Sequence, residues 1–149
     1  MEKIFSYISK DYQLPVQELS LSEKREVENR LQDQFFSSSM IFPLYLHKTS
    51  GQGILRLDGL DAWNKALEYL QQRETLIFFD RTDEQQALSL FAILPDSRLS
   101  QVLEEIPLTN LYFTDRDTSF FLCWSDMEQL YLWGGARDWF LEHMEYLKK

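Results

Sequence analysis

The chain has 149 residues, with 15 Lys and Arg against 24 Asp and Glu, giving a formal net charge of −9. Its 44% hydrophobic and 15% aromatic content excludes a disordered tail or linker. Its longest apolar runs, about six residues, are far shorter than the roughly 20 that a membrane-spanning helix needs. The length suits one domain, residues 1–149, and the single cysteine excludes an intrachain disulfide.

The first half of the chain alternates helical patterns with short apolar runs. Ser20 and Glu23 match a capping box, and Val27, Leu31 and Phe35 recur every four residues after it. Asp61 is expected to cap the next helix. Pro43 restricts the strand that contains it to a sheet edge. The patterns predict helices over 3–9, 21–36 and 62–72, and strands over Met40–Leu46 and Ile54–Leu57.

The second half has the composition of a sheet. Thr75–Phe79 is a compact β-branched and aromatic run, which predicts a buried strand. Residues 87–94 fit either a helix or a strand, and the strand is favoured because Pro95 ends the run. A helix begins at Ser97, as its cap, and reaches about Glu105. The remaining expected elements are strands over Asn110–Thr114, Ser119–Trp124 and Glu128–Trp133, and a helix over 136–147.

The short links between the last three strands predict an antiparallel meander. Helices precede and follow this meander. The expected fold class is therefore α+β, with a single twisted, mainly antiparallel sheet packed against N-terminal and C-terminal helices.

Few residues could bind a metal ion. His47, Cys123 and His143 are far apart in the sequence, whereas metal sites need several ligands close together. Asp115 and Asp117 resemble paired carboxylates that hold a divalent ion, but oxygen-only sites usually need more ligands, and carboxylates in such a turn often accept exposed amides instead. We expect no metal and no cofactor.

The possible nucleophiles are equally limited. Cys123 and His143 could form a Cys–His pair, but Cys123 lies among Phe121, Leu122 and Trp124, where a thiol is usually an inert core residue. Gly134 and Gly135 precede a helix and could offer amides to an anion, although a tight strand-to-helix turn is the simpler interpretation.

The negative charge is concentrated in the middle of the chain. Residues 74–128 hold three arginines against eleven Asp and Glu, a net charge of −8. Seven of these acids belong to three turn groups: Asp80, Asp83 and Glu84; Asp115 and Asp117; and Asp126 and Glu128. In a meander the second and third groups should lie at opposite ends of the sheet, and the first group fits either end.

Two aromatic residues could accompany these acids at a binding surface. Tyr131 and Trp133 share one face of a predicted strand close to the acidic turns. Aromatic side chains are common anchors of protein interfaces, so both are candidate contacts. For Trp133 a core position is favoured over an exposed one, because large aromatic residues are highly buried on average.

The stretch from Thr75 to Gly135 resembles bacterial immunity proteins, small cytoplasmic α+β proteins encoded beside polymorphic or contact-dependent toxins. The resemblance is carried by four motifs, Leu76–Asp80, Leu111–Asp117, Phe121–Asp126 and Trp133–Gly135. It implies inhibition of a toxin at its active site or at an adjacent exosite, with no catalytic residues. Many such toxins are basic nucleases, which an acidic surface would suit.

The leading hypothesis is therefore a non-enzymatic binding protein, an immunity protein that contacts a basic toxin through its acidic surface. We expect no binding to nucleic acid or membranes because of the negative charge, and a monomer or a dimer. The N-terminal residues do not resemble a secretory signal, so a cytoplasmic location is expected. The alternatives are a small-ligand-binding protein or enzyme that uses Asp115 and Asp117 with Cys123 or His143, and a structural adaptor that dimerises through strand 40–46.

Overall fold

The computed structural model describes residues 2–36, 54–80 and 89–143. These residues form seven strands in one sheet and five helices. In chain order the elements are α1 (Glu2–Asp11), β1 (Val16–Glu18), α2 (Leu21–Phe35), β2 (Leu55–Asp58), α3 (Leu60–Leu70), β3 (Thr75–Phe79), β4 (Phe91–Ile93), α4 (Arg98–Glu105), β5 (Leu111–Thr114), β6 (Phe120–Trp124), β7 (Gln129–Gly134) and α5 (Gly135–His143).

The strand order is β1-β4-β3-β5-β6-β7-β2, and every neighbouring pair is antiparallel. The α+β prediction is confirmed, with helices on both sides of the meander in the chain. The meander itself is β5-β6-β7, in which Phe113 lies opposite Leu122, and Leu122 lies opposite Leu132. The short strands β1 and β2 are the two edges of the sheet.

Both faces of the sheet are covered, because side chains alternate between two buried clusters. Leu122 and Leu132 belong to the larger cluster, on which α1, α3, α4 and α5 pack. Phe121 and Trp133 belong to the smaller cluster on the other face, with Leu31 and its neighbours on α2. The central strands β3, β5 and β6 are buried at every position, and full burial of one large apolar side chain contributes roughly 1.5–3 kcal/mol to stability.

Strand β1 was not predicted. Pro15 precedes it, and Gln17 and Glu18 are exposed polar residues, so neither propensity nor alternation indicates a strand. It forms because β4 offers a free edge, with Val16 opposite Ile93. The favoured strand over 87–94 is realised only as Phe91–Ile93, and residues 87 and 88 lie outside the described residues.

The predicted helix caps agree with the structure at α2 and differ at α3. At α4 Ser97 is the N-cap residue, as predicted, but without a capping side chain. Ser20 and Glu23 form the predicted capping box of α2. Asp61 does not cap α3, because the N-cap is Gly59, whose φ of 93° only glycine adopts without strain. At α4 the Ser97 side chain makes no cap bond, and the Asp96 carboxylate accepts the Arg98 amide at 2.8 Å instead.

Other predicted features fall outside the described residues. These are the strand over Met40–Leu46, the residues His47, Asp83 and Glu84, and the last residues of the final helix. Within the described ranges, no helix combines the length and apolar character that crossing a membrane requires.

Candidate functional site

The strands β3, β5 and β6 lie side by side, and at one end of the sheet they bring Asp80 and Asp126 together. Phe79, the last residue of β3, lies opposite Leu111 of β5, which in turn lies opposite Trp124 of β6. Asp80 and Asn110 adjoin these residues in the chain and Asp126 follows Trp124 by two positions, so all three lie at this end. The sheet register therefore places the first acidic group, through Asp80, with the third rather than with the second.

Asn110 organises this end through both atoms of its amide. Its Nδ2 donates to Oδ2 of Asp80 at 2.8 Å, and its Oδ1 accepts the backbone amide of Asp126 at 2.9 Å. The buried Tyr112 hydroxyl donates to the other carboxylate oxygen of Asp80. Asn110 is only 4% exposed, so these hydrogen bonds hold Asp80 in one position while its charge remains unpaired by any described cation.

Strand β2 adds further acids to the same end. Asp58 lies opposite Gln129, and the amide of Gly59 donates to the Glu128 carbonyl at 3.1 Å. Asp61 follows in the first turn of α3, where the helix dipole favours a negative charge. We call this group, Asp58, Asp61, Asp80, Asp126 and Glu128, the acidic end. Among the described residues none of these carboxylates forms an ion pair.

The acidic end also exposes large apolar side chains. Met127 lies between Asp126 and Glu128 and is 71% exposed, Leu108 is 72% exposed and precedes Asn110 by two positions, and Leu60 is 60% exposed at the start of α3. Tyr7 and Leu94 are comparably exposed elsewhere. Apolar side chains surrounded by charged ones are typical of a protein-binding surface.

The opposite end of the sheet has a different character. The Asp115 carboxylate accepts the Ser119 amide at 2.8 Å and the Ser119 hydroxyl, so it stabilises its own turn. Arg116 forms ion pairs of 2.8 Å with both Glu23 and Glu74. These contacts neutralise much of the local charge. Asp117 is exposed in this turn, apart from the acidic end.

A metal site at Asp115 and Asp117 has no further ligands. In the described part of the chain, no three His, Cys, Asp or Glu side chains are grouped as metal ligands would be. The Gly135 amide is not available to bind an anion, because it donates to the Ser119 carbonyl at 2.9 Å. The tight-turn interpretation of the glycine pair is the correct one: Gly134 has φ of 64°, and an added Cβ would lie 2.8 Å from that carbonyl oxygen.

The two aromatic candidates differ in exposure. Trp133 as an exposed contact is wrong: it is fully buried between Phe36 and Phe121, since its position on β7 points into the smaller cluster. Tyr131 is half-buried, and its hydroxyl donates to Gln129 Oε1 at 2.8 Å. Burial raises the pKa of Tyr131, against a smaller opposing effect of Arg56 on the adjacent strand.

The proposed Cys–His pair is not assembled. Cys123 is fully buried in the cluster below α2, and burial raises the pKa of its thiol well above the usual value, with smaller contributions from Asp80 and Asp126. His143 is exposed on α5, which packs on the opposite face of the sheet. Its ring stacks on the Trp139 ring, with 4.2 Å between the ring centroids. The sheet therefore separates the two side chains.

Comparisons with protein-family models, curated proteins and solved structures give no match to this chain.

Sequence patterns alone did not indicate several residues of this surface. Asp58 and Asp61 lie in the half of the chain that is nearly neutral, and Leu60 and Leu108 are isolated leucines, the first between Gly59 and Asp61 and the second between Pro107 and Thr109. The sequence predicts Asn110 as the first residue of a strand, whereas β5 begins one residue later, at Leu111, and Asn110 precedes it. The one available signal was the Asp58-Gly59 pair, which is typical of a turn and so of a strand end.

Proposed function

We propose that this chain is a non-enzymatic binding protein, an immunity protein that neutralises a basic bacterial toxin by direct contact through the acidic end. The observation that carries the proposal is the combination of five carboxylates, none of them ion-paired with a described residue, with the exposed side chains of Leu60, Leu108 and Met127. Such a surface combines long-range attraction for a cationic partner with apolar contacts that form once the partner has docked.

The hydrogen bonds below the surface support a binding role. Asn110 and Tyr112 hold Asp80 in place, and the turn that carries Asp126 and Glu128 is closed by the Ser125 amide, which donates to the Gln129 carbonyl at 2.9 Å. Carboxylates fixed before binding lose little conformational freedom on complex formation. A rigid, acidic surface of this kind suits a preformed basic site on the partner.

A nuclease is the partner class that this chemistry fits best. Its substrate-binding surface is cationic because it must neutralise phosphates, and a protein that presents carboxylates there excludes the nucleic acid. The negative net charge of the chain also disfavours its own binding to nucleic acid and to anionic membranes. The proposed site of action is the cytoplasm, where such a toxin would attack the cell that makes it.

The enzyme alternative relies on residues that the described structure keeps apart or occupies otherwise. Asp115 is hydrogen-bonded within its own turn, and Cys123 and His143 lie on opposite sides of the sheet. No specific contact favours the adaptor alternative, since its strand over 40–46 is outside the described residues.

The test is co-expression with the product of a toxin gene that neighbours the gene for this chain. The proposal expects restored growth of cells that carry the toxin, a one-to-one complex in gel filtration, and loss of nuclease activity in the purified mixture. Association should slow as salt is raised from 50 to 500 mM, because the attraction is electrostatic. A chain that leaves growth arrested and elutes separately from the toxin would contradict the proposal.

A further inference from the structure

A groove separates α1 from the edge strand β1, on the side of the sheet away from β2. It has a volume of about 440 Å³, within the range of small-ligand sites. Leu14, Val16 and Phe91 form its apolar part, and Ser6, Ser9 and Lys10 of α1 form its polar part. A second hollow of about 360 Å³ shares several of these residues and extends along α1 to Lys3.

Ser9 lies in the wall of this groove and has an unsatisfied hydroxyl. The residue is only 2% exposed, and its Oγ has no hydrogen-bond partner in residues 2–36, 54–80 or 89–143. A buried hydroxyl without a partner lowers stability, because it has lost its hydrogen bonds to water. A ligand oxygen reached by rotation about the Ser9 Cα–Cβ bond would supply the missing acceptor.

The lining of the groove and the adjoining hollow includes two lysines, Lys3 and Lys10, and two acids, Glu2 and Glu18. Neither Lys3 nor Lys10 forms an ion pair with any described residue. Of the two acids at the groove, Glu18 is paired with Lys24 at 3.1 Å, and Glu2 has an interaction of its own. Lys3, Ser6 and Lys10 follow one side of the helix at spacings of three and four, so their polar groups lie along one line.

We propose that this groove binds a small amphipathic anion, a carboxylate or phosphate group attached to an apolar body. The anionic group lies against Lys10 and Lys3, with the Ser6 hydroxyl as an additional donor. The apolar body covers Leu14, Val16 and Phe91, and an oxygen of the ligand accepts the Ser9 hydroxyl. This site is separate from the acidic end, so it does not depend on the proposed toxin partner.

The test is calorimetric titration of the purified full chain with octyl phosphate and with nonanoate, which carry the same octyl chain, both below their micellar concentrations. Octanol and inorganic phosphate serve as the two half-ligands. We expect saturable one-to-one binding of at least one amphipathic anion, and affinities at least about tenfold weaker for both half-ligands. The stronger of the two anions identifies the head group. Equal binding of octanol, or no saturable binding of either anion, would overturn the proposal.

Two variants and a matched control locate the site. Lys10→Gln should weaken binding by about fivefold or more, whereas Lys65→Gln, on α3, should leave it unchanged. Ser9→Ala should weaken binding while raising the melting temperature of the free protein by about 2–4 °C, because it removes an unsatisfied buried hydroxyl. A purely structural Ser9 would change the melting temperature alone. Wild-type affinity in both the Lys10 and Ser9 variants would overturn the proposal.

Discussion

Asp80 and Asp126 are far apart in the chain, yet one buried amide connects them: Asn110 donates to the Asp80 carboxylate at 2.8 Å and accepts the Asp126 backbone amide at 2.9 Å. This link fixes the end of β3 to the turn after β6. The position of the acidic end therefore depends on a neutral residue with no charge of its own.

Asn110→Ala should destabilise the protein, because it removes both hydrogen bonds and leaves the buried side of Asp80 with one donor fewer. The expected loss is about 1–3 kcal/mol in the free energy of unfolding, measured by urea denaturation. Thr109→Ala is the matched control, since the neighbouring threonine is half-exposed and makes no side-chain hydrogen bond to any described residue. Similar losses in the two variants would show that Asn110 has no special role.

Gly134→Ala should be strongly destabilising, because Gly134 combines a left-handed backbone with a close approach. Its φ is 64°, and an added Cβ would lie 2.8 Å from the Ser119 carbonyl oxygen and 3.2 Å from the Phe35 ring. The backbone strain and the overpacking together suggest a loss of about 2–5 kcal/mol. Gly135→Ala is the control, since its nearest contact is 3.2 Å and its φ lies outside the left-handed region. Equal melting temperatures of the two variants in thermal denaturation would contradict this account.

The ionised Asp96 carboxylate should stabilise the fold, and this contribution should be lost at acid pH. The Arg98 side chain and backbone amide hydrogen-bond to it and hold its pKa at about 2, below the usual 3.8, and Arg98 also donates to the Gln13 carbonyl at 2.8 Å. A lowered pKa stabilises the fold above about pH 4, and this stabilisation is lost as the pH falls from 4 through 2.

The variant Asp96→Asn keeps an acceptor for the Arg98 amide but removes the charge. We expect it to be less stable than the wild type at pH 7, with the difference narrowing below pH 4 and mostly lost by about pH 2. Urea denaturation at several pH values measures the difference. A gap that stays constant over this range would mean that the charge of Asp96 does not stabilise the fold.

Cys123 should be unreactive in the native protein. Its thiol is fully buried and its pKa is raised, so little thiolate forms and a reagent reaches it only when the sheet opens. We expect labelling with a disulfide reagent at pH 8 to be slower than in urea by more than about a hundredfold. Rapid labelling of the folded chain would instead reveal an accessible, reactive cysteine.

Local patterns predicted much of the fold. The start of α2 follows from Ser20 and Glu23, and the alternation of Phe121, Leu122 and Cys123 correctly predicts that β6 is covered on both faces. These features depend on residues close together in the chain. Strand β1 and the pairing of β2 with β7 depend on partners distant in the chain, which composition and periodicity do not specify.

Only part of the candidate site could be predicted from the sequence, again because some of its contacts join segments distant in the chain. Meander geometry correctly separates the turn at Asp115 from the turn at Asp126, because both turns belong to consecutive hairpins. The pairing of β3 with β5 decides which end Asp80 joins, and the pairing of β2 with β7 brings Asp58 there. The burial of Trp133 agrees with the favoured core position, but alternation gives only the face of a strand and not what covers it, so Trp133 remained a contact candidate from sequence.

The most direct test of the account is the affinity of the cognate toxin for two charge-reversed double variants, measured by calorimetry at low salt. Asp126→Lys with Glu128→Lys reverses two exposed charges of the acidic end, and Asp117→Lys with Asp33→Lys reverses two exposed charges near the opposite end, where Gln34 of α2 contacts Thr118. We expect the first to weaken binding by about tenfold or more, mainly through slower association, and the second to leave it within about twofold. Equal affinity of the first variant and the wild type, with both folded, would contradict the claim that the acidic end binds the partner.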